Sequence, residues 1–198
     1  MYLYQPALLA LAAWTAAGLF PLSRKCRALY TAMFLLTLAV SFLRVEKPNW
    51  ALFPAALLLL AGSAGFCRGH WFRILLAGVF GGAAAWRLTD LFPLCQEGAL
   101  PGSLCLCLFV LLYVRDIPGR LCACALGGVV CELGFCLQEY FLFTYARWRI
   151  GSALGLSISA FSMCLVYGVY GILTFFRQKR ARHHGKNIEY RSIAAKDF

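Results

Sequence analysis

Acidic residues are scarce in this chain: eight Asp and Glu stand against 19 Lys and Arg, and charged residues make up only 14% of the 198 positions. A soluble domain needs roughly a quarter of its residues charged, so a water-facing globule is excluded. The nucleotide and hydrolase signatures are missing as well. No G-x-x-x-x-G-K-[ST], G-x-G-x-x-G, H-E-x-x-H or G-x-S-x-G occurs, which removes the phosphate loop, the dinucleotide turn, the zinc-protease helix and the nucleophile elbow. There is no C-x-x-C, and no inverted internal repeat of the kind many transporters use. Of three histidines only His70 lies beside an apolar stretch; His183-His184 are adjacent in a polar tail and form a weak metal signal.

What fills the chain instead is apolar sequence, 62% of all residues. It falls into seven long stretches, near 2–21, 28–43, 50–66, 72–92, 100–114, 119–143 and 151–176. Backbone groups in hydrocarbon have no water to bond, so each crossing must be a helix or part of a closed barrel. Barrel strands alternate apolar and polar residues, whereas runs such as Leu57-Leu58-Leu59-Leu60 are continuous. The expectation is therefore an all-α, polytopic transmembrane helical bundle of seven spans. A perpendicular crossing takes about 20 residues. The second and fifth stretches fall short of that, and six spans is the alternative if 100–114 does not cross.

Charge placement favours seven. Basic residues near span ends stay on the cytoplasmic side. With the N-terminus outside, the inner loops hold Arg24, Lys25, Arg27, Arg68, Arg73, Arg115 and Arg120, while the outer ones hold only Arg44, Lys47, Arg147 and Arg149. The C-terminus is then inside, with residues 1–176 as a transmembrane helical domain and 177–198 as a basic cytoplasmic tail. The first span is not expected to be a cleaved signal, because its basic cluster follows the apolar run instead of preceding it. The location implied is the cell membrane.

The formal charge of +11 follows mostly from this topology. Its densest run, Arg177, Lys179, Arg180 and Arg182, abuts the last span and suits contact with anionic lipid headgroups, worth roughly 1 kcal/mol per basic residue. No nucleic-acid partner is expected. Residues 187–198 carry no obvious fold signal.

Ten cysteines are present, most of them inside apolar stretches. Lipid and a reducing cytoplasm both argue against a disulfide framework. The pairs Cys105/Cys107 and Cys122/Cys124 point about 200° apart on a helix, so neither chelates one metal alone. Cys124 and Cys131 share a face, yet small apolar packing is the simpler role. No cofactor or metal is expected. Cys67 and His70 share the inner loop Cys67-Arg68-Gly69-His70-Trp71, inviting comparison with membrane cysteine enzymes, but no third, orienting group is evident.

Ionisable residues within spans are costly and mark candidate sites. Arg87 and Asp90 are spaced to pair on one face of the fourth span. Glu132 and Glu139 lie nearly two turns apart on the sixth and project to similar sides. Glu132 is the deeper and the best single candidate, either as a proton or cation site or as half of an interhelical bond with Arg87 as a partner. Gly78/Gly82, Gly151/Gly155 and Ala61/Gly65 give small-x-x-x-small spacings for close helix packing, intramolecular by default.

The arrangement resembles the YphA-type multi-pass membrane proteins of spore-forming Firmicutes. The likeness rests on length, on the basic loop after the first span, on Arg115 to Gly128 (RDIPGRLCACALGG) followed by Glu132, and on Arg149-Ile150-Gly151-Ser152 before the last span. The cysteine content departs from that group. The resemblance implies a small cell-membrane protein associated with sporulation, without catalytic residues. The leading expectation is thus a non-catalytic structural or accessory membrane protein, with a membrane partner and the oligomeric state left open. A small transporter or substrate-binding subunit using Glu132 is second, and a cysteine enzyme third.

Overall fold

A computed structural model describes residues 4–18, 24–43, 45–47, 50–52, 54–65, 67, 70–91, 99–144 and 148–194, with the backbone alone at 45–47, 50 and 177–194. The chain is all-α in character, with seven helices and one small sheet among the described residues. The helices are α1 (Tyr4–Ala16), α2 (Arg24–Val40), α3 (Pro54–Gly65), α4 (Trp71–Leu91), α5 (Ala99–Tyr113), α6 (Ile117–Phe143) and α7 (Ala153–Ala194). Each coincides with one of the seven apolar stretches, and the differences lie at their ends.

Those ends have local causes. α1 stops at Ala16, short of the expected 21, because the chain turns through Gly18 at φ 71°, a conformation open to glycine. α3 begins at Pro54, whose fixed φ and missing N–H suit the first helical position. The preceding Trp50–Leu52 is a strand, not the start of a span. α7 continues through the basic residues to Ala194, where no helix was expected. No proline interrupts 153–194, and Arg, Lys and Ala favour the helix. The lipid-contact candidates Arg177, Lys179, Arg180 and Arg182 thus sit on helical backbone, while their side chains fall outside the described set.

The sheet was absent from the sequence reading. β1 (Val45–Lys47) pairs antiparallel with β2 (Trp50–Leu52), placing Lys47 opposite Trp50 and Val45 opposite Leu52. β2 pairs in parallel with β3 (Trp148–Ile150), Ala51 opposite Arg149. Three-residue strands lie below what periodicity can detect. The effect of the sheet is to hold the α6–α7 connection.

The chain divides into two compact units, Met1–Val166 and Tyr167–Phe198. In the first, α6 meets α3, α4, α5 and β3, while α1 packs on α2 and α2 on α3. The α4–α6 seam is made by glycine. A Cβ at Gly82 would stand 2.5 Å from the Gly127 carbonyl oxygen, and one at Gly78 would stand 2.7 Å from Leu126. The Gly78/Gly82 spacing therefore serves packing within the molecule. Gly65, paired with Ala61 in the sequence reading, has open space around it.

Outer faces are apolar. On α5, Leu104, Leu108 and Leu112 form an exposed stripe at four-residue spacing while Leu106 and Val110 are fully buried. Phe72 on α4 and Phe141 on α6 are 76% and 81% exposed. Several buried hydroxyls turn inward to their own helices. Thr37 donates to the Met33 carbonyl at 2.7 Å, Ser63 to Leu59 at 2.7 Å and Thr89 to Ala85 at 2.8 Å. Among the described residues three helical segments, Trp71–Leu91, Ile117–Phe143 and Ala153–Phe176, are long and apolar enough to cross a membrane. Pro54–Gly65 and Ala99–Tyr113 are apolar but shorter.

Candidate functional site at the α6–α7 junction

α6 is started firmly. Asp116 is its N-cap, accepting from the Gly119 N–H at 2.7 Å, and Pro118 follows within the first turn. Twenty-seven residues later the helix ends at Thr144 in the left-handed region, φ 56°. Its C-terminal half carries Glu132, Cys136, Gln138 and Glu139.

Glu132 is 4% exposed. Its partner is not Arg87 but the beginning of α7. Gly151 N–H donates to Oε2 and Gly155 N–H to Oε1, the latter at 3.2 Å. Ser152, between them in sequence, lines the cavity beside the carboxylate. The first N–H groups of any helix lack partners within it, and an anion there also meets the positive end of the helix dipole. A carboxylate from α6 thus caps α7. The backbone makes room for it: Gly151 turns at φ 83°, and a Cβ at Gly155 would stand 2.4 Å from the Glu132 carboxyl carbon. A Cβ at Gly128 would likewise lie 2.6 Å from the Gly155 carbonyl oxygen, so glycines on both helices let them close.

One strand is stitched above this cap. The Arg149 N–H donates to Cys136 Sγ at 3.3 Å, and its guanidinium meets Glu139 Oε1 at 2.6 Å, with side chains 49% and 38% exposed. A cavity of about 220 Å³ lies between, with Glu132 and Ser152 among its lining residues, Phe135 and Leu154 as apolar wall, and Cys136, Glu139 and Arg149 completing it. Glu132 and Glu139 therefore share one cavity.

Arg87 and Asp90 go elsewhere. The Arg87 guanidinium lies 4.2 Å from the Trp86 ring centre. Asp90 accepts from Gln138 Nε2 at 3.2 and 3.3 Å, and Gln138 Oε1 accepts from Trp86 Nε1 at 2.9 Å. Among the described residues no ion pair joins Arg87 to Asp90 or to Glu132. Gln138 is the link between α4 and α6, and Gly134 gives Trp86 its place, since a Cβ there would stand 2.6 Å from the indole. The i,i+4 spacing of Trp86 and Asp90 places both on one face of α4 and is the signal that points to this network.

The Cys67/His70 pairing has no support in the geometry. Cys67 bonds the Ser63 carbonyl at 3.4 Å and neighbours Cys122, and the hydrogen bond to Cys122, then burial, push its thiol well above the ordinary range. An activated nucleophile needs the opposite shift. His70 is exposed at φ 57°, its carbonyl receiving the Arg73 and Ile74 N–H groups at the start of α4. Of the nine described cysteines, Cys67, Cys105, Cys107, Cys122, Cys124, Cys131 and Cys164 are free thiols, and Cys95 lies outside the described residues. Among the described residues no three His, Cys, Asp or Glu gather as a metal site.

No family model, curated protein or solved structure matches the chain significantly.

Proposed function

We propose that this chain is a multi-pass membrane protein of structural or accessory type, with seven spans, the N-terminus outside and the C-terminus inside. The observation that carries the structural role is the state of Glu132. Both of its oxygens are taken up by donors of the same chain, Gly151 and Gly155. Joining two helices is by itself a sufficient reason for this carboxylate to be buried. The membrane reading is supported by the exposed Leu and Phe faces, by hydroxyls satisfied on their own helices, and by segregation of basic loops. α1, α3 and α5 have 13, 12 and 15 residues, about 18–23 Å of helix against a hydrocarbon core near 30 Å. Their crossings therefore use flanking residues and a locally thinned bilayer. The resemblance to YphA-type proteins extends the proposal to a sporulation-associated role in the cell membrane.

The test is replacement of the carboxylate. Glu132→Gln leaves an amide N–H₂ facing N–H donors, and Glu132→Leu leaves the donors bare. Each is expected to lower the stability of detergent-purified protein by about 1–3 kcal/mol, with Leu the worse. Unchanged unfolding in both contradicts the clasp.

A second reading, a small transporter or substrate-binding subunit, is favoured by one observation. The space beside Glu132 is not filled: about 220 Å³ remains, lined in part by charged groups.

A further inference from the structure

We propose that the cavity beside Glu132 binds a small organic cation, an ammonium group on a short apolar body. This rests on the second reading, in which the cavity is a ligand site, and it names the ligand class. The size comes first. A dry cavity of 150 Å³ takes benzene, so about 220 Å³ admits a guest of roughly nine non-hydrogen atoms.

The lining then selects the charge. Glu132 and Glu139 are the acidic groups and Arg149 the basic one, so negative exceeds positive by one. Arg149 is already committed, through NH2 to Glu139 and through its backbone N–H to Cys136. Glu132 is held by neutral N–H donors from Gly151 and Gly155, which supply partial charge but no counter-ion. An anion entering here would meet two carboxylates against one guanidinium, which Glu139 already pairs. A cation would meet Glu132, the Glu139 already paired with Arg149, and the Phe135 side chain, an aromatic residue of the kind that attracts ammonium groups. Leu154 offers the apolar body a surface.

The distinguishing experiment titrates full-length protein in a non-ionic detergent with phenethylammonium, 2-phenylethanol and phenylacetate, using calorimetry or ligand-observed NMR. These three match in shape and differ in charge. The expected result is saturable binding of the ammonium, with the alcohol and the carboxylate weaker by roughly fivefold or more. Glu139→Gln, at the half-exposed rim and so expected to fold, should weaken the ammonium by about three- to fivefold. Saturable binding of the alcohol or the carboxylate as tight as that of the ammonium keeps the cavity as a ligand site but overturns the cation. Ammonium binding that is unchanged by Glu139→Gln overturns the assignment to this cavity. Failure of all three compounds to bind removes both the ligand-site reading and this inference.

Discussion

Gly155 sets how near the Glu132 side chain comes to α7, because a methyl at that position would stand 2.4 Å from its carboxyl carbon. Gly168, further along the same helix, has nothing within 4 Å of where its Cβ would stand. Ala raises helix propensity by up to about 1 kcal/mol over Gly wherever there is room. Gly155→Ala should therefore cost about 2 kcal/mol or more by forcing the clasp apart. Gly168→Ala should be neutral or stabilising. Unfolding of the two variants in detergent, followed by circular dichroism, checks the contrast, and equal effects would mean that the Glu132 contact is not what fixes Gly155. The same comparison applies at Gly82, where the obstacle is the Gly127 carbonyl oxygen, an atom that no rotamer change can move aside.

Among elements, α6 organises the most, and its two ends fail in different ways. Asp116→Ala removes the N-cap bond to Gly119 and should cost about 1 kcal/mol. Gln138→Leu, near the other end, strips a partner from both Trp86 and Asp90 and should cost about 1–2 kcal/mol. A double-mutant cycle with Trp86→Phe separates the indole bond from general packing. Full additivity there would dissolve the proposed α4–α6 link. The position of α6 was legible from its long apolar run, and the shared side of Glu132 and Glu139 from their seven-residue spacing. Their partners were not. Arg87 stood as a candidate mate for Glu132, besides Asp90 on its own helix, because charge is the partner that a sequence displays; the actual donors are backbone N–H groups of Gly151 and Gly155, which every residue but proline carries. The strands β1 to β3 escaped for a different reason. Their three residues offer no period, and β3 is fixed by pairing with residues about 100 positions away. Helix ends moved where Gly18 and Pro54 set the backbone, whereas the apolar run between them carried no such mark.

At the scale of the whole molecule the account depends on solvent. Phe141, Leu112 and Phe72 are mostly exposed, an arrangement that water punishes and lipid tolerates. Purified without detergent, the chain should aggregate, and with detergent it should run as a dispersed species on size exclusion. Orientation follows from Lys and Arg, which the proposed topology gathers on the inner face from Arg24 through Lys196. The most direct measurement is a pair of reporter fusions after Phe198, one active only in the cytoplasm and one only outside, made in a bacterial host and assayed in the membrane fraction. The account predicts cytoplasmic reporter activity that sediments with membranes and resists carbonate extraction. External activity, or a fusion recovered as a soluble monomer, would contradict it.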